Sequence, residues 1–261
     1  PPRGGTGGGG AGILIASAAG AGLAAMYNAP LGGAVYAVEL IMVAGMRRRG
    51  ALVAVPVCLI AMLVSWLHSH GHPTFEIASP GLSSGTALGL VLLVPVAAAV
   101  GVGARRLWLW MLAHRVRVPR WLPAAIGAAG LVTGLASLWV PPIVGNGRDA
   151  MEMAVGTGLP GASNSPVGAG LVLLVGIVVL KPVLTGLTLA AGATGGRLAP
   201  SLAAGSSAGA ALAIALDACG VQASVAVLAL AGAGAVLATT QRAPVFGIIF
   251  TWELALSLIH I

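Results

Sequence analysis

A 23-residue segment occurs twice in this chain, near its beginning and near its end. Residues 18–40 read AAGAGLAAMYNAPLGGAVYAVEL, and residues 232–254 read GAGAVLATTQRAPVFGIIFTWEL. Ten of the 23 aligned positions are identical, including an Ala-Pro pair, a glycine three residues after the proline, and a Glu-Leu pair at the end. Internal repeats of apolar helices are typical of membrane transporters, whose substrate sites lie between the repeats. The repeat therefore indicates a membrane protein with several crossings.

The composition agrees with this class. Hydrophobic residues make up 58% of the chain and charged residues 7%, whereas soluble domains carry about 25% charged residues. A soluble fold of this length could not cover its surface with so few charges. The net charge is +7, but the arginines cluster in short breaks between apolar runs, as cytoplasmic loops of membrane proteins do. We therefore expect a lipid bilayer around the chain and no nucleic-acid partner.

Nine apolar stretches follow one another, and several are shorter than the roughly 20 residues that cross a bilayer. They are 12–26, 31–45, 50–67, 84–112, 121–140, 167–190, 200–216, 222–239 and 243–258. Short segments that are interrupted by Gly or Pro in matching parts of two halves are typical of broken helices around a site at mid-membrane. Each repeat copy thus predicts a helix, an Ala-Pro break and a short second helix.

The positive charges predict the topology. The first basic cluster is Arg47–Arg49, and the second comprises Arg115, Arg117 and Arg120. Two crossings, 50–67 and 84–112, separate the clusters, so both should face the cytoplasm. The intervening loop, about 68–83, has no Lys or Arg and contains His68, His70, His72 and Glu76. The His-x-His-x-His spacing suits a metal ion, but it has no further ligands nearby, so we expect a polar extracytoplasmic loop and no metal site.

One local motif suggests chemistry. Residues 195–201 read GGRLAPS and open a run of small residues. Glycine allows a tight turn with exposed amides, and proline fits the first turn of a helix, where a missing N–H costs nothing. The free amides and the positive end of the helix dipole attract an anion. The expected anion ligands are the backbone amides of Gly196, Arg197, Leu198 and Ala199, with Gly195 and Pro200 shaping the helix start. The alternative is a plain Gly-rich loop.

Three motifs, taken in order, resemble those of the CLC family of chloride channels and proton/chloride exchangers. The family's Asn-Ala-Pro-Leu-x-Gly-x-x-Phe-x-x-Glu segment is similar to residues 28–39. Its Gly-x-Phe-x-Pro element is similar to residues 196–200, and its Arg-Ala-Pro-x-x-Gly segment with a later Glu is similar to residues 242–253. We assign 12–255 as a partial CLC-like transmembrane domain, with 1–11 and 256–261 as unmatched ends.

The resemblance implies an all-α, polytopic fold with broken helices and two halves inverted in a bacterial plasma membrane. It implies selective transport of chloride or a similar small anion, with no cofactor and no enzymatic activity. It also implies a homodimer that uses stretches 31–45, 50–67 and 243–258. Because the family's pore serine and gating glutamate should precede the chain and its pore tyrosine should follow, we expect a fragment of a longer protein.

By the resemblance, the amides of Arg197 and Leu198 face the central anion. The chain departs from the family at both positions, because Leu198 replaces a phenylalanine and Arg197 replaces an apolar residue. The loss of the phenylalanine leaves the amide argument intact. We expect the Arg197 side chain to point away from the pore, since a fixed charge there would trap the anion.

A second departure concerns proton coupling. Proton-coupled members commonly carry two successive acids after the Asn-Ala-Pro segment, and here the pair is Glu39-Leu40. Leucine carries no proton, so Leu40 favours a passive, voltage-gated channel. The alternative is a proton-coupled antiporter whose relay lies elsewhere, and a distant one is a non-transporting scaffold or membrane enzyme. Because Glu39 and Glu253 occupy the same repeat position, we expect both to bond backbone at helix ends, with a relay role for Glu39 as the alternative.

Overall fold

The computed structural model describes residues 7–69, 83–145, 147–156 and 167–256, and this part is helical with no strand. The all-α prediction is confirmed. The helices are α1 (Gly7–Tyr27), α2 (Pro30–Tyr36), α3 (Arg47–Ser69), α4 (Ser84–Ala113), α5 (Leu122–Ser137), α6 (Arg148–Gly156), α7 (Val167–Ala190), α8 (Leu198–Ala218), α9 (Val225–Gln241) and α10 (Pro244–Leu256). A π-helical turn, Ala37–Ile41, continues α2, and short 3-10 turns occur at Ala44–Met46, Pro119–Trp121 and Pro141–Ile143.

The described helices differ in length in the way that broken transmembrane helices require. Five apolar segments are long enough to cross a membrane: Gly10–Tyr27, Ala44–Leu67, Ser84–Ala113, Gly170–Ala190 and Leu198–Ala218. Three further apolar segments are shorter, namely Pro30–Ile41, Val225–Gln241 and Pro244–Leu254. Two of the shorter segments are the second helices of the repeat copies, which agrees with the predicted helix, break and short helix.

The chain divides into two compact units, and the first contains α1, α2, α3 and α10. In this unit α1 packs against α2 and α3, while α2 also packs against α10. The backbones of α1 and α2 touch where two glycines face each other, because a methyl group on Gly20 would overlap the carbonyl oxygen of Gly33, and the reverse also holds. Both glycines recur in the second repeat copy, as Gly234 and Gly247, so in this unit their place in the repeat has a packing reason.

The second unit contains α4 to α9 and is built around α8. Nearly every residue of α8 from Pro200 to Ala213 is buried, and α9, α7, α4 and α6 all pack against it. Gly205 and Gly209, four residues apart on one face of α8, allow α9 to approach closely. A methyl group on Gly205 would overlap the carbonyl oxygen of Gly232, and one on Gly209 would overlap that of Leu228. Small residues at this spacing are typical of close helix packing in membranes.

The structure corrects several predicted boundaries. The helix predicted for 200–216 begins at Leu198 and ends at Ala218. Pro200 is therefore the third helical residue, where its missing N–H still needs no intrahelical acceptor. Stretch 31–45 is not one helix, because the π-helical turn ends at Ile41 and Met42 and Val43 are extended.

The predicted histidine loop is also shorter than expected. Helix α3 continues to Ser69 and so includes the backbone of His68. His70, His72 and Glu76 lie outside the described residues. Within the described ranges, no group of three or more His, Cys, Asp or Glu side chains is placed to hold a metal ion.

Candidate functional site

The predicted anion site lies at the start of α8. Gly195 and Gly196 are exposed, whereas Arg197, Leu198 and Ala199 are half-buried and Pro200 is buried. The first intrahelical bond runs from the Ser201 N–H to the carbonyl oxygen of Arg197, at 3.2 Å. The N–H groups before it have no acceptor inside the helix, and no side chain caps this end. A half-buried row of free N–H groups at the positive end of a 21-residue helix is an environment that stabilises an anion.

Two hydroxyl groups fix this helix start, and the sequence reasoning did not identify them. Ser201 Oγ donates to the carbonyl oxygen of Arg197 at 2.6 Å and lies 2.7 Å from Thr240 Oγ1 on α9. Both side chains are buried. The hydroxyl contact ties the first turn of α8 to the end of α9, so the amide row is held by packing rather than by a cap. The only sequence signal concerned Ser201, which is the last residue of the Gly-rich motif.

The loop before α6 also packs against the start of α8. Gly147 has φ +85°, and a methyl group there would lie 3.0 Å from the carbonyl oxygen of Ala199 and 3.1 Å from the Ala203 side chain. Ile143, in the 3-10 turn of this loop, belongs to the same buried cluster as Ala203. The loop is anchored by Lys181 on α7, whose ammonium donates to the carbonyl oxygens of Ile143 and Gly145 at 2.6 and 3.0 Å.

In the first unit, the two repeated glutamates bond the helix starts of each other's copy. Glu253 on α10 is 1% exposed, and its two carboxylate oxygens accept the N–H groups of Leu31 and Gly32 at 2.9 and 2.5 Å. Glu39, in the π-helical turn after α2, accepts the N–H groups of Val245 and Phe246 at 3.4 and 2.6 Å. These four N–H groups are among those that a helix cannot satisfy internally, and a carboxylate near them also complements the helix dipole.

The exchange of carboxylates is reciprocal, residue by residue. In the repeat alignment Leu31 corresponds to Val245, and Gly32 corresponds to Phe246. Each contact therefore has a partner related by exchanging the two copies, which is the pattern that a two-fold rotation produces. The start of each short helix lies near the end of the other, so α2 and α10 run antiparallel. This is the relation that an inverted repeat requires.

The non-helical residues that precede the two short helices are also alike. Asn28 and Arg242 occupy matching repeat positions, and they are the two non-glycine residues with positive φ in the described part, at 54° and 56°. Each precedes an Ala-Pro pair, and the N–H three residues after each proline donates to the alanine carbonyl oxygen at 2.9 Å for Gly33 and 3.0 Å for Gly247. The left-handed residue ends the first helix, and the proline begins the second.

Leu40 and Glu39 lie in the π-helical turn that follows α2. Glu39 lines a largely apolar cavity of about 310 Å³, together with Ala34, Val35, Val38, Arg47, Ala51, Val55 and Val245. Arg47 Nη2 donates to the backbone carbonyl oxygen of Glu39 at 3.3 Å. Leu40 is half-buried and offers no group that can bond a proton. The turn thus carries one carboxylate, and that carboxylate is engaged with the start of α10.

These features define a class of protein. Long and short apolar helices, broken at matching points and related by an antiparallel repeat, are the architecture of polytopic membrane transport proteins. Residues 8–261 match the family model described as voltage gated chloride channel. The chain therefore belongs to the voltage-gated chloride channel, or CLC, family and is an integral, multi-pass membrane protein. The resemblance drawn from the three motifs is confirmed.

Two curated relatives have similar sequences. Over 250 residues the chain is 32% identical to the H(+)/Cl(−) exchange transporter ClcA of Cronobacter sakazakii. This alignment covers 92% of this chain and 51% of that relative. Over 255 residues it is 30% identical to the putative chloride channel protein ClcB-like of Ralstonia nicotianae. This alignment covers 94% of this chain and 55% of that relative. The chain thus spans about half the length of the curated relatives that it matches.

Two solved structures share the fold. A slow cyanobacterial Cl⁻/H⁺ antiporter superposes with a TM-score of 0.72 at 25% identity, over 93% of this chain and 56% of that one. A CLC-type fluoride/proton antiporter superposes with a TM-score of 0.69 at 21% identity, over 93% and 58%. The second likeness bears on the fold alone.

Proposed function

We propose that the complete protein containing this chain carries chloride or a similar small anion across the plasma membrane, and that it does so in exchange for protons. The observation that carries the anion part is the uncapped, half-buried start of α8 in a chain of the CLC family. Backbone amides offer hydrogen bonds and a helix dipole without a full positive charge. Such a site binds an anion weakly enough to release it on the other side.

The proposal of proton exchange is supported by the names of similar proteins. One curated relative is named an H(+)/Cl(−) exchange transporter, and one solved structure of the same fold is a Cl⁻/H⁺ antiporter. These names favour exchange over the passive conduction that Leu40 led us to expect. A carboxylate other than residue 40 then has to carry the proton on the inner side. Glu39 is a candidate because it lines the cavity described above, although its oxygens also bond the start of α10.

A passive chloride channel is the second candidate. The observation in its favour is Leu40, since the family's usual second acid is missing there. A proton would need water or another side chain to pass this point, and unsolvated charge transfer in the membrane is costly. The relative with the ClcB-like name is described as a putative chloride channel protein, so both modes occur among the names of similar proteins.

The two modes predict different fluxes in liposomes. The purified complete protein, placed in vesicles with a chloride gradient and no proton gradient, should drive protons uphill at a fixed ratio to chloride. Parallel recordings with chloride- and pH-sensitive electrodes measure this ratio, and empty vesicles are the control. Chloride flux without proton movement would establish the channel mode instead, and Leu40→Glu would then be the variant in which to look for a gain of coupling.

We also propose that the complete protein is a homodimer. The faces of α3 and α10 carry large exposed apolar side chains, including Ile60, Val64 and Ile248 at 60%, 60% and 69% exposure. In lipid these side chains need no cover, so shape rather than apolarity selects the partner. Single cysteines at Ile60 or Ile248 should crosslink a second copy in native membranes, whereas a cysteine at Leu88 on α4 should not. Capture of monomer alone at every position would contradict the dimer.

A further inference from the structure

Lys181 is the one lysine in the sequence, and it is buried in an apolar helix. It lies in the middle of α7, directly before Pro182, and is 4% exposed. Ionisable residues inside membrane segments are costly and rare, and they mark functional positions more often than they serve packing. A buried ammonium group inside an apolar helix of the second unit therefore points to a functional role.

The ammonium is held by dipoles rather than neutralised by a carboxylate. Its two partners are the carbonyl oxygens of Ile143 and Gly145. In the described part of the chain the one ion pair within 4.0 Å joins Arg148 and Glu152. Asp149, whose side chain is exposed, makes no hydrogen bond or ion pair with Lys181 among the described residues. Carbonyl groups solvate a cation but leave its net charge in place, so a positive potential remains inside this unit.

The loop that Lys181 holds rests on the candidate anion site. Gly147, two residues after Gly145, abuts the carbonyl oxygen of Ala199 in the first turn of α8. Because two residues of chain reach at most about 7 Å, the ammonium lies within roughly 17 Å of that turn. Ile143 packs in one buried cluster with Ala203, in the second turn of α8. The lysine is thus joined to the amide row by backbone and packed side chains, with no water layer required between them.

We propose that Lys181 is a positioning residue of the anion site, which it serves by holding Ile143 and Gly145 of the loop beside α8 and by adding positive potential at the amide row. This inference rests on the proposed anion transport. The site then gains attraction for an anion from a charge that the anion cannot touch. A remote charge raises affinity without forming the tight contact that would prevent release. At about 17 Å and an effective dielectric constant near 20, the attraction corresponds to a change of about fivefold in affinity.

The test compares variants of the complete protein in liposomes, with the chloride concentration for half-maximal flux recorded separately from the maximal flux. Lys181→Met removes the charge but keeps a long side chain, and we expect about fivefold weaker apparent chloride affinity. Lys181→Arg keeps the charge and should retain an affinity near that of the wild type. Arg120→Gln removes an exposed positive charge of the same unit, stacked 5.6 Å from the Trp121 ring centre, and should leave the affinity unchanged.

Asp149→Asn tests whether a charge in this unit reaches the amide row at all, and it remains informative if Lys181→Met does not fold. It leaves both bonds of the ammonium intact and removes an opposing negative charge, so at low ionic strength chloride affinity should rise, by up to about twofold. Unchanged affinity in Asp149→Asn, or equal losses in Lys181→Met and Lys181→Arg, would overturn the inference. A wild-type protein that neither binds nor carries chloride would instead overturn the proposed function.

Discussion

Replacing Glu253 with leucine should lower the free energy of unfolding of the complete protein by about 3–6 kcal/mol, since hydrogen bonds to a charged group contribute roughly 1.5–3 kcal/mol each. The carboxylate is fully buried and accepts two N–H groups at the start of α2. Leucine has a similar size but accepts neither bond, so the buried N–H of Gly32 and the part-buried N–H of Leu31 would lose their acceptor. Chemical or thermal unfolding in detergent, followed by tryptophan fluorescence, measures the loss.

The repeat provides graded controls for this measurement. Glu253→Gln keeps one oxygen acceptor and should lose less than the leucine variant. Glu39→Leu removes the reciprocal pair, but Glu39 is half-buried and one of its bonds is 3.4 Å long, so its effect should be smaller. Glu152→Gln breaks an ion pair whose side chains are both 47% exposed, and such pairs contribute about 0–1 kcal/mol. A loss in Glu253→Leu no greater than that in Glu152→Gln would refute the structural role of the exchanged carboxylates.

Removing a single N–H group at the start of α8 should weaken chloride binding by about 10- to 100-fold, the equivalent of one hydrogen bond to a charged partner. The change is the replacement of Leu198 by its α-hydroxy acid, which turns the amide into an ester and leaves the side chain unaltered. Because this N–H precedes the first intrahelical bond of α8, the helix itself loses no hydrogen bond.

The matched control is the same ester substitution at Leu212, in the interior of α8. There the N–H is part of the helix ladder, so the ester should reduce stability but leave chloride affinity unchanged. Isothermal titration of the purified complete protein with chloride measures the affinity, and thermal unfolding measures the stability. Wild-type affinity in the Leu198 ester would remove the amide row from the anion site.

Arg197 lies directly before α8, and its backbone matters more to the helix start than its side chain does. It replaces an apolar family residue, and in the structure it is the half-buried residue before α8, with no side-chain cap. Its backbone carbonyl oxygen is engaged by Ser201. In the proposed anion site Arg197 offers its N–H group, which any residue except proline would supply.

Much of the fold follows from local signals in the sequence. The long apolar runs became α3, α4 and α7, because a segment of that length and polarity satisfies its backbone only as a helix. Pro30 and Pro244 begin short helices, as the Ala-Pro breaks predicted. The Gly-rich motif predicted the start of α8 to within two residues. These features depend on residues a few positions apart, so the sequence alone was sufficient.

The partners of the polar groups depended on the tertiary structure. The repeat showed that Glu39 and Glu253 are equivalent, but not that each bonds the other's helix start, across 206 to 222 residues of sequence. Nor did any local pattern join Lys181 to Ile143 or Ser201 to Thr240. A buried donor or acceptor requires a hydrogen-bond partner, and the sequence shows which polar residues lie in apolar segments and have this requirement. Which partner lies within 3 Å is decided by how the helices pack, and the small residues that let them approach closely favour packing without specifying one neighbour.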